Sequence, residues 1–323
     1  RPSCWFYYVN FLDIHFLGDN SFCFNPQQRA GQMIVVLLFF SHLIFGLTSP
    51  LSYHGPIAGA IQLVSTNHNE TLETLSQRLQ LSPTIIEKAN PQINFHHLAH
   101  NELIIVPSQI ILPTKRRHGI VVNIAERRLF DFTTPGKVFV YSAGIGREGW
   151  DTPQGIFHIS SKRHLPTWTV PKSVHIEERA KGNILPKTVP PGPNNPLGEH
   201  SFRLSHSSYL IHGTNDSSGI GIPSTSGCVS LFPDDIAQLF QRIPVGTPVQ
   251  IVDIPLKISR TNKTLWAESH MNLKNGQNHF TKQEIDDIMM RLKKMHGLSA
   301  EEMVHVRVVI EENTGIPYPI QLQ

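Results

Sequence analysis

The chain has 323 residues, 40% of them hydrophobic and 16% charged, which is enough to bury one large core or two modest ones. Its net charge of +3, with eighteen histidines counted neutral and no long Lys/Arg run, excludes the broad basic face that nucleic-acid binding needs. Arg116-Arg117 and Arg127-Arg128 are accordingly read as solvated strand and turn positions. Residues 1–32 open on Arg1, show no periodicity, and read as an over-extended reading frame. Met33 then begins an apolar run ending at Leu47, short of the ~20 residues that span a bilayer and suited to a signal peptide over 33–49. An uncleaved membrane anchor is the competing reading. Loss of that segment removes Cys4 and Cys23 and leaves Cys228 as a lone thiol. A lone thiol in an exported chain forms no internal disulfide, so it is either reactive or inertly buried.

Beyond a Pro- and Gly-containing arm, residues 62–108 read as a small module. A strand near Val64 is followed by a helix opening at Thr71 with Leu72, Leu75 and Leu79 on one face. Ser82-Pro83 starts a second helix, Asn90-Pro91 stops it, and Leu103–Val106 is a closing strand. The order Thr71-Leu72, Leu81-Ser82, Asn90-Pro91, Ile105-Val106-Pro107 resembles a LysM domain, with Asn69-Glu70 where that family usually has Gly-Asp. The resemblance implies a module that binds peptidoglycan glycan; a spacer of the same fold is the alternative.

From residue 117 to 253 strands dominate. Ile120–Ile124 and Leu129–Phe132 form a hairpin around Glu126-Arg127, and Val138–Tyr141, Gly155–Ile159, Tyr209–Ile211 and Val249–Val252 supply further strands. Five prolines between 186 and 196 make that stretch a loop, and Pro233-Asp234-Asp235 opens the one clear helix, with Ile236, Leu239 and Phe240 on a face. The tail over 254–323 contains a capping box at Thr281–Glu284 and a helix carrying Ile285, Ile288, Met289, Leu292 and Met295 up to Gly297.

The chemistry concentrates in residues 209–231. His212 follows three apolar strand residues, and Cys228 follows sixteen positions later after a loop of Gly and Ser. A thiol with a pKa near 8.5 needs a base or an imidazolium beside it to act as a nucleophile. Alone, this spacing is weak, and an inert buried cysteine fits it equally. Zinc binding fails on the count of ligands, and no Gly-x-Ser-x-Gly turn marks a serine hydrolase.

The full segment resembles the catalytic motif of the L,D-transpeptidase (YkuD, ErfK-type) family: His212-Gly213-Thr214, a glycine-rich gap, then Thr225-Ser226-Gly227-Cys228-Val229-Ser230-Leu231. Gly144-Ile145-Gly146, Trp150-Asp151-Thr152-Pro153, Asn195–Gly198 and Phe202-Arg203-Leu204 match further family segments. The family usually has Arg where Ser230 stands. The resemblance implies a mainly β catalytic domain, sandwich or barrel, with a short α+β tail behind it. It implies Cys228 as nucleophile, His212 as base, the Gly213 carbonyl orienting the imidazole, and the Gly227 amide in an oxyanion hole. Thr225 and Ser226 are expected to hydrogen-bond the substrate or their own loop, Asn215 to contact the donor stem or hold a turn, Trp150 to line the donor groove, Tyr141 to pack in the core, and His158, His200 and His206 to be bystanders. No cofactor or metal is expected. The implied partners are peptidoglycan stem peptides and glycan, with an outer-membrane lipoprotein as one acceptor, in a Gram-negative periplasm. Hydrolysis of the same thioester, and a non-catalytic wall-binding protein, remain the other readings.

Overall fold

A computed structural model describes residues 49–261, 264–270 and 281–321, so the expected signal segment lies outside the described residues. The chain enters through three short strands, β1 (Leu51–Ser52), β2 (Ile57–Ala58) and β3 (Gln62–Ser65). Helices α1 (Leu72–Leu79) and α2 (Pro83–Ala89) and strand β4 (Leu103–Val106) follow, with β3 and β4 antiparallel. Thr71 caps α1 because its hydroxyl accepts from the Thr74 amide, and Gln80 ends it in the left-handed region. Leu75, Leu79, Ile86, Ile104 and Val106 fill the small core between these elements.

After β5 (Ile110–Ile111) come the strands of a closed barrel: β6 (Ile120–Asn123), β7 (Arg128–Asp131), β8 (Lys137–Gly146) and β9 (Gly155–His164). Next lies an excursion made of β10 (Trp168–Thr169), α3 (Lys172–Ala180) and β11 (Thr188–Val189). The barrel resumes with β12 (His200–Leu204), β13 (Leu210–His212), β14 (Pro223–Thr225) and β15 (Val229–Leu231), then α4 (Pro233–Arg242) and β16 (Pro248–Val252). Hydrogen bonding runs β8-β15-β13-β12-β9-β16-β6-β7 and closes as β7 pairs β8, while β1 and β14 add to β8 from outside. The ten-residue strands β8 and β9 make closure possible, since each pairs with one neighbour along its first half and another along its second. Strands β6 and β7 are buried on both faces, which is why their apolar runs are continuous rather than alternating. Val122 and Leu129 face the barrel core with Tyr141, Phe202 and Ile251, whereas Val121 and Phe130 face a second core under the N-terminal arm.

Behind the barrel, β17 (Leu256–Thr261), β18 (Thr264–Ser269), α5 (Lys282–His296), α6 (Ala300–Glu312) and β19 (Tyr318–Ile320) enclose a further core around Leu265, Met289, Val306 and Ile310. Two expectations are corrected, on the helix count between β10 and β16 and on Arg127–Arg128. Helix α3 stands beside the proline-rich loop, so α4 is not the one helix of the region; α3 buries none of its residues and therefore leaves no apolar stripe in the sequence. A second tail helix, α6, follows α5, capped by Ser299 and Glu302. Arg127 and Arg128 are buried rather than solvated. Arg127 donates to the Gly221 carbonyl at 2.7 Å, and Arg128 enters an ion-pair network.

Candidate active site

Strands β13 and β15 run parallel, with Ile211 across from Val229 and His212 across from Ser230. Side chains alternate along a strand, so Cys228, two residues before Ser230, projects on the same face as His212. The Leu210 amide donates to Cys228 Sγ at 3.4 Å, which fixes the sulfur at the mouth of this strand pair. His212 ends β13, 7% exposed, and its Nδ1 lies 2.5 Å from the Gly213 carbonyl oxygen. A carbonyl only accepts, so Nδ1 carries the proton and Nε2 keeps the lone pair that a base requires.

Electrostatics set the resting protonation. Burial pulls the His212 pKa down to about 4, against a smaller upward pull from the Gly213 bond. Burial pushes the Cys228 thiol up, opposed by the Leu210 amide and the positive charge of Arg203. Both shifts favour the uncharged forms, a neutral imidazole and a neutral thiol, near pH 7. Register places Arg203 across from Leu210, on the face shared by His212 and Cys228. Ser230, in the position where the family usually has Arg, is buried and packed so closely that a Cβ on Gly144 would come within 2.3 Å of its Oγ.

The loop before the cysteine is braced from within. Thr225 donates its hydroxyl to the Cys228 carbonyl at 2.6 Å and accepts the Gly227 amide at 3.2 Å. Thr225 thus braces its own loop, and the Gly227 amide, expected in an oxyanion hole, is bonded to it. Gly227 has φ +98°, and a Cβ there would meet the Tyr209 ring at 2.4 Å, so no other residue fits. Ser226 Oγ accepts from Arg147 at 3.3 Å, and the Arg147 guanidinium lies 4.9 Å from the centre of the half-buried Trp150 ring. Asn215 donates to the Pro193 carbonyl at 3.0 Å, tying the His212 loop to the proline-rich excursion. Tyr141 is in the core, hydrogen-bonded by Arg242. His158 packs edge-on against His206; the His200 ring packs on Phe240, while its carbonyl accepts the Gly213 amide at 3.0 Å beside His212.

The L,D-transpeptidase catalytic domain (YkuD) family matches residues 117–251. The probable L,D-transpeptidase YcfS of Escherichia coli is 34% identical over 268 residues, covering 80% of this chain and 82% of that protein. The chain belongs to the L,D-transpeptidase family. Two more family members from Escherichia coli agree: probable L,D-transpeptidase ErfK/SrfK at 36% identity, over 72% of this chain and 77% of its own, and YbiS at 33%, over 84% and 91%.

Elsewhere, Glu126, Glu268 and His270 bring three ligand atoms within 4.8 Å of one another in the interior. Lys257 stands 2.8 Å from Glu126 and 2.7 Å from Glu268, where a cation would be held, and Arg128 lies 3.8 and 4.0 Å from the same carboxylates, so the protein's own cations balance the group. Sequence reasoning missed Arg147, Glu177 and the charge of Arg203 on the thiol. Arg147 directly follows the Gly144-Ile145-Gly146 segment that carried the resemblance, which was the available signal.

Proposed function

We propose that this chain is a cysteine-dependent peptidoglycan L,D-transpeptidase, with Cys228 as nucleophile and His212 as its base. The observation that carries the reading is the fixed tautomer of His212, its Nδ1 bonded to Gly213, on the sheet face that also presents the Cys228 sulfur. The imidazole Nε2 takes the thiol proton as sulfur attacks the amide carbonyl joining the third stem residue, a diaminopimelate, to D-Ala. Backbone amides near Cys228 stabilise the oxyanion, Gly227 among them once its bond to Thr225 yields, each worth roughly 3 kcal/mol. The imidazolium returns the proton to the departing D-Ala amine, leaving a thioester. An acceptor amine, from a lipoprotein lysine or a second stem, then attacks the thioester and regenerates the thiol.

We infer glycan binding for the module over 62–108, a reading supported by the LysM-like order of its antiparallel strand pair and two helices, and a periplasmic compartment. Trp150 and Ser226 border the donor groove, and Asn215 holds the excursion over it. Tetrapeptide-containing muropeptides incubated with a lysine-bearing acceptor peptide should yield free D-Ala and a joined product by mass spectrometry. Tripeptide without joined product would replace transfer by hydrolysis. No D-Ala release from folded protein would leave a wall-binding protein without catalysis.

A further inference from the structure

Arg147 sits where β8 runs out beside the cysteine loop. Its amide donates to the Thr225 carbonyl at 3.0 Å, which fixes its backbone three residues from the nucleophile. One guanidinium nitrogen donates to Ser226 Oγ at 3.3 Å, the ring of Trp150 supports its face, and a second nitrogen is bonded to the Glu177 carboxylate on α3. Helix α3 buries none of its residues, so this ion pair is a prominent tie between the excursion and the rim of the site.

The Glu177 carboxylate is held twice: Lys181 binds its other oxygen at 2.8 Å. Lys181 also contacts Glu178 at 2.9 Å. Withdrawal of Arg147 therefore leaves Glu177 still partnered, and the exchange strands no charge. A guanidinium stacked on an aromatic ring, with a hydroxyl on one edge, is a planar fork suited to a carboxylate. A stem peptide with D-Ala at its end carries carboxylates on the terminal residue and on the diaminopimelate side chain.

We propose that Arg147 is the carboxylate receptor of the donor subsite, and that Glu177 holds its place until a donor-stem carboxylate displaces it. The proposal rests on the stem-peptide donor assigned above but does not depend on turnover. It supplies a cation at the cysteine loop of a chain that carries Ser230 in place of the usual arginine.

The test is equilibrium binding of a disaccharide tetrapeptide to the full chain carrying Cys228→Ala, which permits no acylation. Adding Arg147→Gln should weaken binding about 10- to 100-fold, the range for a charge-assisted hydrogen bond of roughly 1.5–3 kcal/mol. Adding Glu177→Gln should instead tighten binding severalfold, a direction that misfolding does not produce. Donors amidated at the terminal D-Ala or at the diaminopimelate side chain identify the partner, since one of them should bind equally well with or without Arg147. An unchanged affinity in Arg147→Gln, an equal loss on both amidated donors, or no donor binding at all would overturn the proposal. Binding that follows this pattern in a protein whose wild type releases no D-Ala would sink the catalytic reading and leave the receptor standing.

Discussion

At the residue scale, His212 decides how the proposed chemistry responds to pH. Its pKa, drawn down to about 4 by burial, lies below the unperturbed value near 6.5, so the imidazole stays an available base through mildly acidic solution. The rate of D-Ala release should hold level from neutral pH down to about 5 and fall by half near pH 4, where the ring is protonated. A midpoint near 6.5 would show a solvated histidine and contradict the burial argument. Replacing the ring, in His212→Ala, should lower the rate roughly 10²- to 10⁴-fold, the usual contribution of a general base. His212 and Cys228 were singled out in sequence by the resemblance of the whole 209–231 segment to a family motif, since a His and a Cys sixteen apart carry little by themselves. The bond between Arg147 and Glu177 was not legible, since it joins positions thirty residues apart and depends on how the excursion folds back. Nor did the sequence show that Thr225 and Gly227 satisfy each other.

At the element scale, the turn between α1 and α2 packs against the loop linking His212 to Cys228. The Ser82 amide donates to Ser142 Oγ at 3.2 Å, and a Cβ on Gly221, which has φ +80°, would lie 2.0 Å from the Ser82 Cβ. Gly221→Ala should therefore cost about 2–4 kcal/mol in chemical denaturation, from left-handed strain plus overlap. Ser82→Gly in the same chain should recover the overlap but not the strain; a loss within 0.5 kcal/mol in the single variant, the usual scale of a surface change, would show the contact is not formed. Strand order along 62–108 and the first tail helix were readable from periodicity and caps. Helix α6 was missed because its Val-rich run is equally suited to a strand, although Ser299 and Glu302 offered the capping box that starts it. Helix α3 offered nothing to read, having no buried face.

At the scale of the whole molecule, a buried network joins the barrel to the C-terminal subdomain and to β5. Lys257 from β17, together with Arg128 of β7, balances Glu126 of the β6–β7 turn and Glu268 of β18, and Glu268 accepts the Ile111 amide at 2.6 Å. Burial, joined by the charges of Lys257, Arg128 and Lys88 and opposed by Glu126, keeps His270 neutral beside them. Lys257→Met should destabilise the chain by about 3–5 kcal/mol, because it leaves two buried carboxylates to share Arg128, 3.8 and 4.0 Å away, as their cation. Double replacement of Glu126 and Lys257 by apolar residues should cost less than that single change, and equal costs would contradict the pairing. Composition gave no hint of this network: charged neighbours such as Arg127 and Arg128 read as surface until the strands that bury them are assembled.

The most direct measurement is peptide mapping by mass spectrometry after the purified chain meets a tetrapeptide donor without acceptor. The account predicts a thioester adduct on the peptide containing Cys228, equal to the donor less D-Ala, absent in Cys228→Ala and greatly slowed in His212→Ala. D-Ala release that persists in Cys228→Ala, or an adduct on any other residue, would contradict it.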